Sequence, residues 1–410
     1  MLHAYVLYGV AGLMLVVRGI ETEQRDSRGG ASWNEVITDI GNERWTDYYI
    51  RCLHPDVIRP LIRGDLPKRL QDPEFRQRVS ASLNLHATPG VYLCQFHQTG
   101  HLQPGDSQET ADTLEQRRGA GLTLRQWLMV VDDCRLYSDV NNPASRNLAE
   151  QIDSAYRTTR ATNYASNQRR WQSGTRQQNF AGLEEFLNMM DRRWLNWARA
   201  QLGTPNEWIL DVPMVRAPAV VGQSKNVTER ASHHLALSGS SYVHSLISCI
   251  VKFRFAYRFD RSVWQLARVE RPDHMNLCEA IFSILASAYT WELGLNQTVS
   301  GASHQAGSHA LTASALNQIY QQNRDENLRL GNVDKSLMLD EQLVQRIKEI
   351  KAFDKIKDQK FAELDEREKR VVEKGRKMDT AFEALMAREM SGLIRLQHRQ
   401  ALEASRAAPA

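Results

Sequence analysis

The stretch from residue 220 to residue 234, VVGQSKNVTERASHH, carries the residues whose types and spacing could do chemistry. Arg230 and His234 lie four residues apart and so share one face of a helix. A guanidinium can clamp a phosphate through two parallel hydrogen bonds. Asn226 can cap the first turn of this helix, and Gly222 lets the backbone pass close to a neighbouring strand or a phosphate. The pattern therefore predicts a strand end, a tight turn and a helix that presents a phosphate-binding arginine.

Two short segments are predicted to form the strands behind this turn. Their sequences are PGVYLCQFHQTG, residues 89 to 100, and APAVVGQS, residues 217 to 224. Both are rich in β-branched or aromatic residues and end at turn residues. Despite the long connection between them, we expect residues 90 to 94 and 218 to 222 to pair as antiparallel strands, because a long connection can pack outside a sheet.

Tyr92 and Glu279 are two further candidates for chemistry. A phosphodiester hydrolase must activate a water and neutralise the charge that develops on the phosphate. Tyr92, in the first predicted strand, could relay the proton of the attacking water. Glu279, in the apolar helical pattern MNLCEAIFSILASAY, could hold one Mg²⁺ that keeps most of its waters. The plainer alternatives are a half-exposed strand tyrosine and, for Arg230 and His234, a solvated helix face.

Together these residues resemble the two signature halves of the GIY-YIG nuclease family, over residues 89 to 97 and 218 to 300. The matching positions are Gly90, Val91 and Tyr92 in the first half, and Gly222, Ser224, Asn226, Val227, Arg230 and His234 in the second. The family's metal-binding glutamate and following asparagine correspond to Glu279 and Asn296. The resemblance implies an α+β fold, a small antiparallel sheet with flanking helices. It also implies a Mg²⁺-dependent nuclease with Tyr92, Arg230, His234, Glu279 and Asn296 as catalytic residues and Glu279 as the metal ligand.

Two features depart from the family pattern. Val220 stands where the family has its second tyrosine, so one hydroxyl is missing from the expected site, although valine suits a strand. A helical segment, residues 101 to 205, is inserted between the half-motifs, a layout that resembles fungal members of the family. The departure at Val220 favours a catalytically inactive interaction module as the alternative.

The insertion contains a basic stretch with interleaved aromatic residues. No acidic residue occurs between Ser154 and Leu183, where the sequence places Arg157, Arg160, Arg169, Arg170, Trp171 and Arg176. Arginines hold phosphates and aromatic rings stack on bases, so the stretch is a candidate nucleic-acid surface, DNA above all. A solvated arginine-rich loop is the competing interpretation.

The two ends of the chain have their own patterns. Residues 2 to 17 form an apolar run shorter than the ~20 residues of a bilayer helix, which predicts a buried or frayed helix and makes a membrane anchor the minor alternative. From residue 334 the charged tail carries an apolar heptad seam that Lys357 interrupts, typical of a weak coiled coil through which the chain could form a homodimer. Five scattered cysteines without a CxxC pair predict an intracellular protein, nuclear or cytoplasmic.

The predicted domains follow these boundaries. They are an apolar segment with a linker (1–32), a helical lead-in (33–88), a GIY-YIG-like domain (89–300) with its insertion (101–205), a linker (301–333) and a helical tail (334–398). The expected function is nucleic-acid binding, with metal-dependent phosphodiester cleavage as its catalytic form. A structural coiled-coil protein, in which the motif matches are coincidental, is the remaining alternative.

Overall fold

The computed structural model describes residues 1–28, 43–99, 117–139, 142–155, 178–214, 216–235, 242–255, 258–296 and 313–407. The chain divides into two compact units, Met1–Glu341 and Gln342–Ala410. The first unit contains the sheet and its helices, and the second is helical.

The described residues contain a three-stranded antiparallel sheet in the order β2-β1-β3. The strands are β1 (Gly90–Gln98), β2 (Ala219–Ser224) and β3 (Phe259–Arg268). Gly90 lies opposite Ser224 and Tyr92 opposite Gly222, so the predicted pairing of the two half-motifs is confirmed. The fold is α+β, as the sequence predicts.

Helices surround this sheet. Their bounds are α1 (Leu2–Arg28), α2 (Glu43–Cys52), α3 (Pro55–Arg63), α4 (Leu66–Arg69), α5 (Pro73–Leu83), α6 (Leu124–Ser138), α7 (Pro143–Ala155), α8 (Gln178–Met190), α9 (Asn196–Gln201), α10 (Val227–Leu235), α11 (Tyr242–Phe255), α12 (Met275–Ala286), α13 (Ala313–Leu330) and α14 (Asn332–Ala407). A π-helical turn, Asp191–Leu195, joins α8 to α9, and a 3₁₀ turn spans Glu207–Asp211.

Local sequence rules fix several helix ends. Thr123 and Gln126 form a reciprocal capping box at the start of α6. Asp72 caps α5 just before Pro73, whose ring is compatible with the first helical position. Gly64 ends α3 in the left-handed conformation.

The sheet has a hydrophobic core on each face because successive strand residues point to opposite sides. Val91 and Leu93 belong to one core, which is shared with buried residues of α1, α3 and α12. Cys94 and Phe96 belong to the other core, which is shared with α6, α8 and α11. The helices that the insertion contributes therefore cover one face of the sheet, and the N-terminal helices cover the other.

Two buried arginines of β3 attach helices to the sheet. Arg261 donates to the carbonyl oxygens of His234 and Leu235 at the end of α10. Arg268 donates to the carbonyls of Ala81 and Ser82 near the end of α5. A cation stabilises the end of a helix, where carbonyl groups lack intrahelical partners.

Asparagine side chains bond the backbone at both sides of the sheet. The Asn296 amide exchanges two hydrogen bonds with the backbone of Val221 in β2, at 3.2 and 2.7 Å. Asn323 of α13 donates to the carbonyls of Pro89 and Val269, beside the start of β1 and the end of β3. These amides satisfy backbone groups that a three-stranded sheet cannot pair by itself.

The terminal segments differ from the expected domain boundaries. Residues 25 to 28, expected in a linker, belong to α1, whose Val10, Leu13 and Val17 are buried in the first core. Residues 313 to 330, also expected in a linker, form α13. Within the described part of the chain, no helix combines the length and the apolar character that a membrane span requires.

Candidate functional site

The Tyr92 ring lies directly across Gly222 of the neighbouring strand. A Cβ atom at position 222 would lie 2.3 Å from the Tyr92 hydroxyl and 2.6 Å from Cζ of the ring. No side chain fits in that gap, so position 222 requires glycine to leave room for the Tyr92 ring. The group that comes close to the backbone at Gly222 is thus the Tyr92 side chain, which belongs to the first half-motif.

The Tyr92 hydroxyl joins the two half-motifs by hydrogen bonds. It lies 2.7 Å from Nε2 of His234, and Nε of Arg230 donates to it at 3.3 Å. Because the arginine can only donate, the hydroxyl oxygen accepts from Arg230 and its proton is available to the histidine. A neutral His234 with an unprotonated Nε2 can accept this proton. We call Tyr92, Arg230, His234 and Gly222 the tyrosine cluster.

The helix α10 that carries Arg230 and His234 is fixed at both ends. Asn226 accepts a hydrogen bond from the backbone N–H of Glu229 at 3.0 Å, which confirms it as the cap of this helix. Ser224 holds the turn by bonding the backbone of Asn226. At the other end, Arg261 binds the last carbonyls. The positions of Arg230 and His234 are therefore determined by the turn and by β3.

The first turn of α10 has its backbone donors occupied. The N–H groups of Val227 and Thr228 bond the carbonyls of Thr88 and His86, and that of Glu229 bonds Asn226. An anion cannot bind these groups without displacing a protein acceptor. Any phosphate at this site would therefore contact the Arg230 side chain rather than the helix end.

Gly90 is also constrained by close packing. A Cβ atom there would lie 2.5 Å from the Ala267 carbonyl oxygen and 2.5 Å from the Gln265 side chain. The β-bulge between Val91 and Tyr92 follows at once and changes the register with β3. The absence of a side chain at Gly90 thus allows the start of β1 to pack closely against β3, two residues before Tyr92.

Glu279 occupies a buried position of α12 and is 7% exposed. Burial is the main cause of the raised pKa of Tyr92, and the charge of Glu279 adds to it. Asn296 is 9% exposed, and its side-chain amide bonds Val221 and Ser283. The charge of Glu279 therefore acts on Tyr92, whereas the Asn296 amide is engaged with β2 and α12.

Burial sets the protonation of the cluster. Tyr92 and His234 are each 2% exposed. Burial raises the pKa of Tyr92 to about 12, although Arg230 acts in the opposite direction. Burial, and then the charges of Arg230 and Arg261, lower the pKa of His234 to about 3. Both side chains are therefore neutral at pH 7.

Three neighbours of the cluster were not identified in the sequence. The His244 ring lies 5.5 Å from the His234 ring, and the Cys94 sulfur lies 3.8 Å from Nε2 of His244. Burial holds the pKa of His244 well below its ordinary value. His244 occurs in the apolar helix α11 and Arg261 in a strand 27 residues after His234. Neither position carries a local signal that separates it from an ordinary core or surface residue.

Val220 has an apolar environment. It lies opposite Cys94 in the strand register and is buried in the second core. A methyl-bearing side chain thus packs where the resemblance would place a hydroxyl. The strand keeps its pairing, and the site lacks that polar group.

The number of protein ligands near the tyrosine cluster limits the kind of metal site that it could form. Among the described residues, no group of three or more His, Cys, Asp or Glu side chains could hold a metal ion. Mg²⁺ commonly binds through one or two carboxylates together with substrate phosphates. Glu279 fits that kind of site and not an all-protein cage.

The arginine-rich stretch lies outside the described residues. This applies to Arg157, Arg160, Arg169, Arg170, Trp171 and Arg176.

Comparisons with known proteins returned no match to this chain among family models, curated proteins or solved structures. The functional interpretation therefore depends on the residues and their geometry.

The Gly222 contact predicts a specific coupling. In Gly222→Ala the added methyl should displace the Tyr92 ring and lower the free energy of unfolding by about 1–3 kcal/mol, the usual cost of overpacking. In a Tyr92→Ala background the same methyl has room, so its cost should fall sharply. Denaturant unfolding of the four proteins in this double-mutant cycle measures the coupling.

Gly375→Ala is the matched control, because no atom lies within 4 Å of its added Cβ. Alanine there should be neutral or mildly stabilising in the helix. Equal costs of Gly222→Ala with and without the Tyr92 ring would contradict the proposed contact.

Proposed function

We propose that this chain is a GIY-YIG-type protein that binds nucleic acid, with DNA as the first candidate, through the phosphate backbone at the tyrosine cluster. One observation carries the proposal: the Tyr92 ring spans Gly222 and bonds both His234 and Arg230. These residues come from segments more than a hundred positions apart and meet with the residue types that the family motif requires. A coincidental match to the sequence pattern would not be expected to produce this contact.

Arg230 is the residue that would contact phosphate. Its Nε bonds Tyr92, which fixes the guanidinium, and its side chain is only half-buried. Among the described residues, no carboxylate lies within ion-pair distance of it. A fixed arginine without a carboxylate partner is suited to two-point binding of a phosphate.

Binding is favoured over cleavage by the protonation of the cluster. Proton transfer from Tyr92 to His234 would run between groups with pKa values of about 12 and about 3. Burial disfavours the charged form of both groups, so this transfer is uphill. The valine at position 220 removes a further hydroxyl. The closed cluster therefore suits a phosphate-binding site better than a proton-transfer site.

Mg²⁺-dependent phosphodiester cleavage is the second candidate function, and the buried carboxylate of Glu279, whose charge acts on Tyr92, favours it. Glu279 would hold the ion together with a substrate phosphate, and Arg230 would orient that phosphate. The bound ion would supply neutralisation of the phosphate charge. Tyr92 would position the attacking water once the substrate had opened the cluster to solvent.

The arginine-rich stretch from Arg157 to Arg176 would add phosphate contacts to the same function. Its sequence interleaves Trp171 and other aromatic residues with five arginines. Such a composition supports an electrostatic contact with nucleic acid.

Self-association through α14 is a further proposal, for the second unit by itself. Met378, Phe382 and Leu385 recur at helical spacing, and each is more than half exposed. An exposed apolar strip on a long helix favours burial against another helix. A second copy of the chain supplies an identical strip.

Arg230→Gln should weaken duplex DNA binding by the loss of a phosphate contact. The slope of log affinity against log salt concentration should fall by up to ~0.9 for each lost contact. Fluorescence anisotropy with a labelled duplex at several salt concentrations measures this slope. Arg146→Gln is the control, since Arg146 lies on an exposed helix surface beside Glu150. Arg169, Arg170 and Arg176, changed together to Gln, test the second contact in the same titration.

An unchanged affinity and slope in Arg230→Gln would contradict the proposed phosphate site. If the triple variant alone flattens the slope, nucleic acid binds through the arginine-rich stretch and not through the tyrosine cluster.

Glu279→Gln tests the second candidate. If the parent cleaves DNA with Mg²⁺, this variant should lose cleavage while it keeps duplex affinity without metal, because the amide retains the shape and loses the charge. Gel analysis of a labelled duplex with and without Mg²⁺ provides the measurement. Equal cleavage by parent and variant would remove Glu279 from the site, and an inactive parent would leave binding as the function.

Phe382→Glu should convert a dimer into a monomer, because it places a carboxylate in the proposed interface of α14. Sedimentation velocity measures the change. Ala384→Glu is the control, since it introduces the same charge on the opposite side of the helix. A parent that sediments as a monomer at all concentrations would overturn the proposal.

A further inference from the structure

Three tryptophans between residues 194 and 208 are exposed to solvent. Trp194, Trp197 and Trp208 are 40%, 45% and 66% exposed. Tryptophan usually buries most of its surface, and neighbouring exposed apolar side chains commonly mark an interaction site. We call these three residues the tryptophan patch.

The first two members stand on a rigid helical turn. Trp194 lies in the π-helical turn Asp191–Leu195 and Trp197 in α9. Leu195 and Ala198 bury the opposite side of this segment in the second core. Asp191 forms ion pairs with Arg135 of α6 and with Arg199. π-Helical turns are rare and often occur at functional sites.

The third member, Trp208, belongs to a turn that is also attached to α6. Trp208 lies in the 3₁₀ turn Glu207–Asp211. Arg125 of α6 binds Glu207 at 2.9 Å and Asp211 at 2.8 Å. Ion pairs therefore attach both parts of the patch to α6.

Two arginines without a carboxylate partner among the described residues lie next to the patch. Arg192 and Arg193 are exposed, and among the described residues no carboxylate lies within ion-pair distance of either. The neighbouring carboxylates are engaged elsewhere, namely those of Asp132, Asp191, Glu207 and Asp211 with arginines. The surface thus combines exposed aromatic rings with two uncompensated cations.

We propose that the tryptophan patch binds single-stranded nucleic acid, with bases stacked on the indole rings and phosphates held by Arg192 and Arg193. This inference rests on the proposed nucleic-acid function and assigns it a second surface. Aromatic rings bind unpaired bases of any sequence, whereas duplex bases are already stacked on one another. The free cations provide the complement to a polyanion.

The decisive experiment compares variants that separate stacking from general apolar contact. The probe is a labelled oligothymidylate of about 16 nucleotides, the upper range for a compact single-strand site. Trp194→Ala and Trp197→Ala should each lower the affinity about 5- to 150-fold. Trp194→Phe should retain most of it, because phenylalanine still stacks. Leu202→Ala is the control, as Leu202 is an exposed but non-aromatic residue of the same segment.

The contribution of Arg192 and Arg193 should be visible in the salt dependence of single-strand binding. The double variant Arg192→Gln, Arg193→Gln should lower the slope of log affinity against log salt concentration by up to ~0.7 per lost phosphate contact, measured with the single-stranded probe. Full-chain intrinsic tryptophan fluorescence should also be quenched by the oligonucleotide, and less so in the Trp194→Ala variant. All of these positions are exposed, so the variants should keep the parent's circular dichroism spectrum.

The outcomes distinguish this inference from the proposed function. Unchanged single-strand affinity in both tryptophan variants, with duplex binding still sensitive to Arg230→Gln, would overturn the tryptophan patch alone. Loss of single-strand affinity in the tryptophan variants, with duplex binding insensitive to Arg230→Gln, would support the patch and overturn the tyrosine cluster as a binding site. If Leu202→Ala and Trp194→Ala lose equal single-strand affinity, the contact is a general apolar one and not base stacking, and the inference is overturned. Binding to anionic lipid vesicles without binding to the oligonucleotide would also overturn it.

Discussion

The contact between the Tyr92 ring and the backbone at Gly222 is the constraint on which the rest of the site depends. It requires that β1 and β2 pair in one register, because a slip by one residue would turn the ring to the other face and place a side chain beneath it. With the register fixed, the turn after β2 directs α10 so that His234 and Arg230 reach the phenol hydroxyl. One glycine and one tyrosine thus connect strand pairing to the placement of an arginine.

The same sheet has to be supported from both sides by distant segments. Helices from the N-terminal part of the chain cover the Val91 face, and helices from the insertion cover the Cys94 face. Sheet residues buried on both faces gain from the removal of apolar surface from water, which compensates for closing the long loop between β1 and β2. The insertion therefore supports one face of the sheet, together with α11, in addition to presenting the tryptophan patch.

Much of the fold could be predicted from the sequence because its signals are local. β-Branched or aromatic residues marked β1 and β2, apolar spacing marked α6 and α12, and Asn226 marked a helix start. The support of the site could not be predicted in this way. Arg261 binds the end of α10 from a strand 27 residues away, and His244 reaches the cluster from an apolar helix, so neither contact has a signature within a short window. Residues 313 to 330 were expected in a linker, whereas they form α13, whose Asn323 bonds backbone carbonyls at the sheet.

The net charge of the chain, +4, is a poor guide to nucleic-acid binding, because most described arginines near the two proposed surfaces already have partners. Arg261 and Arg268 bind helix carbonyls, and burial lowers the pKa of both. Arg125, Arg135 and Arg199 neutralise carboxylates. A cation already paired inside the protein releases few counterions from DNA, since it cannot approach a phosphate without first losing its partner. The electrostatic contribution to binding therefore has to come from the described arginines that have no carboxylate partner: Arg230 in the tyrosine cluster, and Arg192 and Arg193 beside the tryptophan patch.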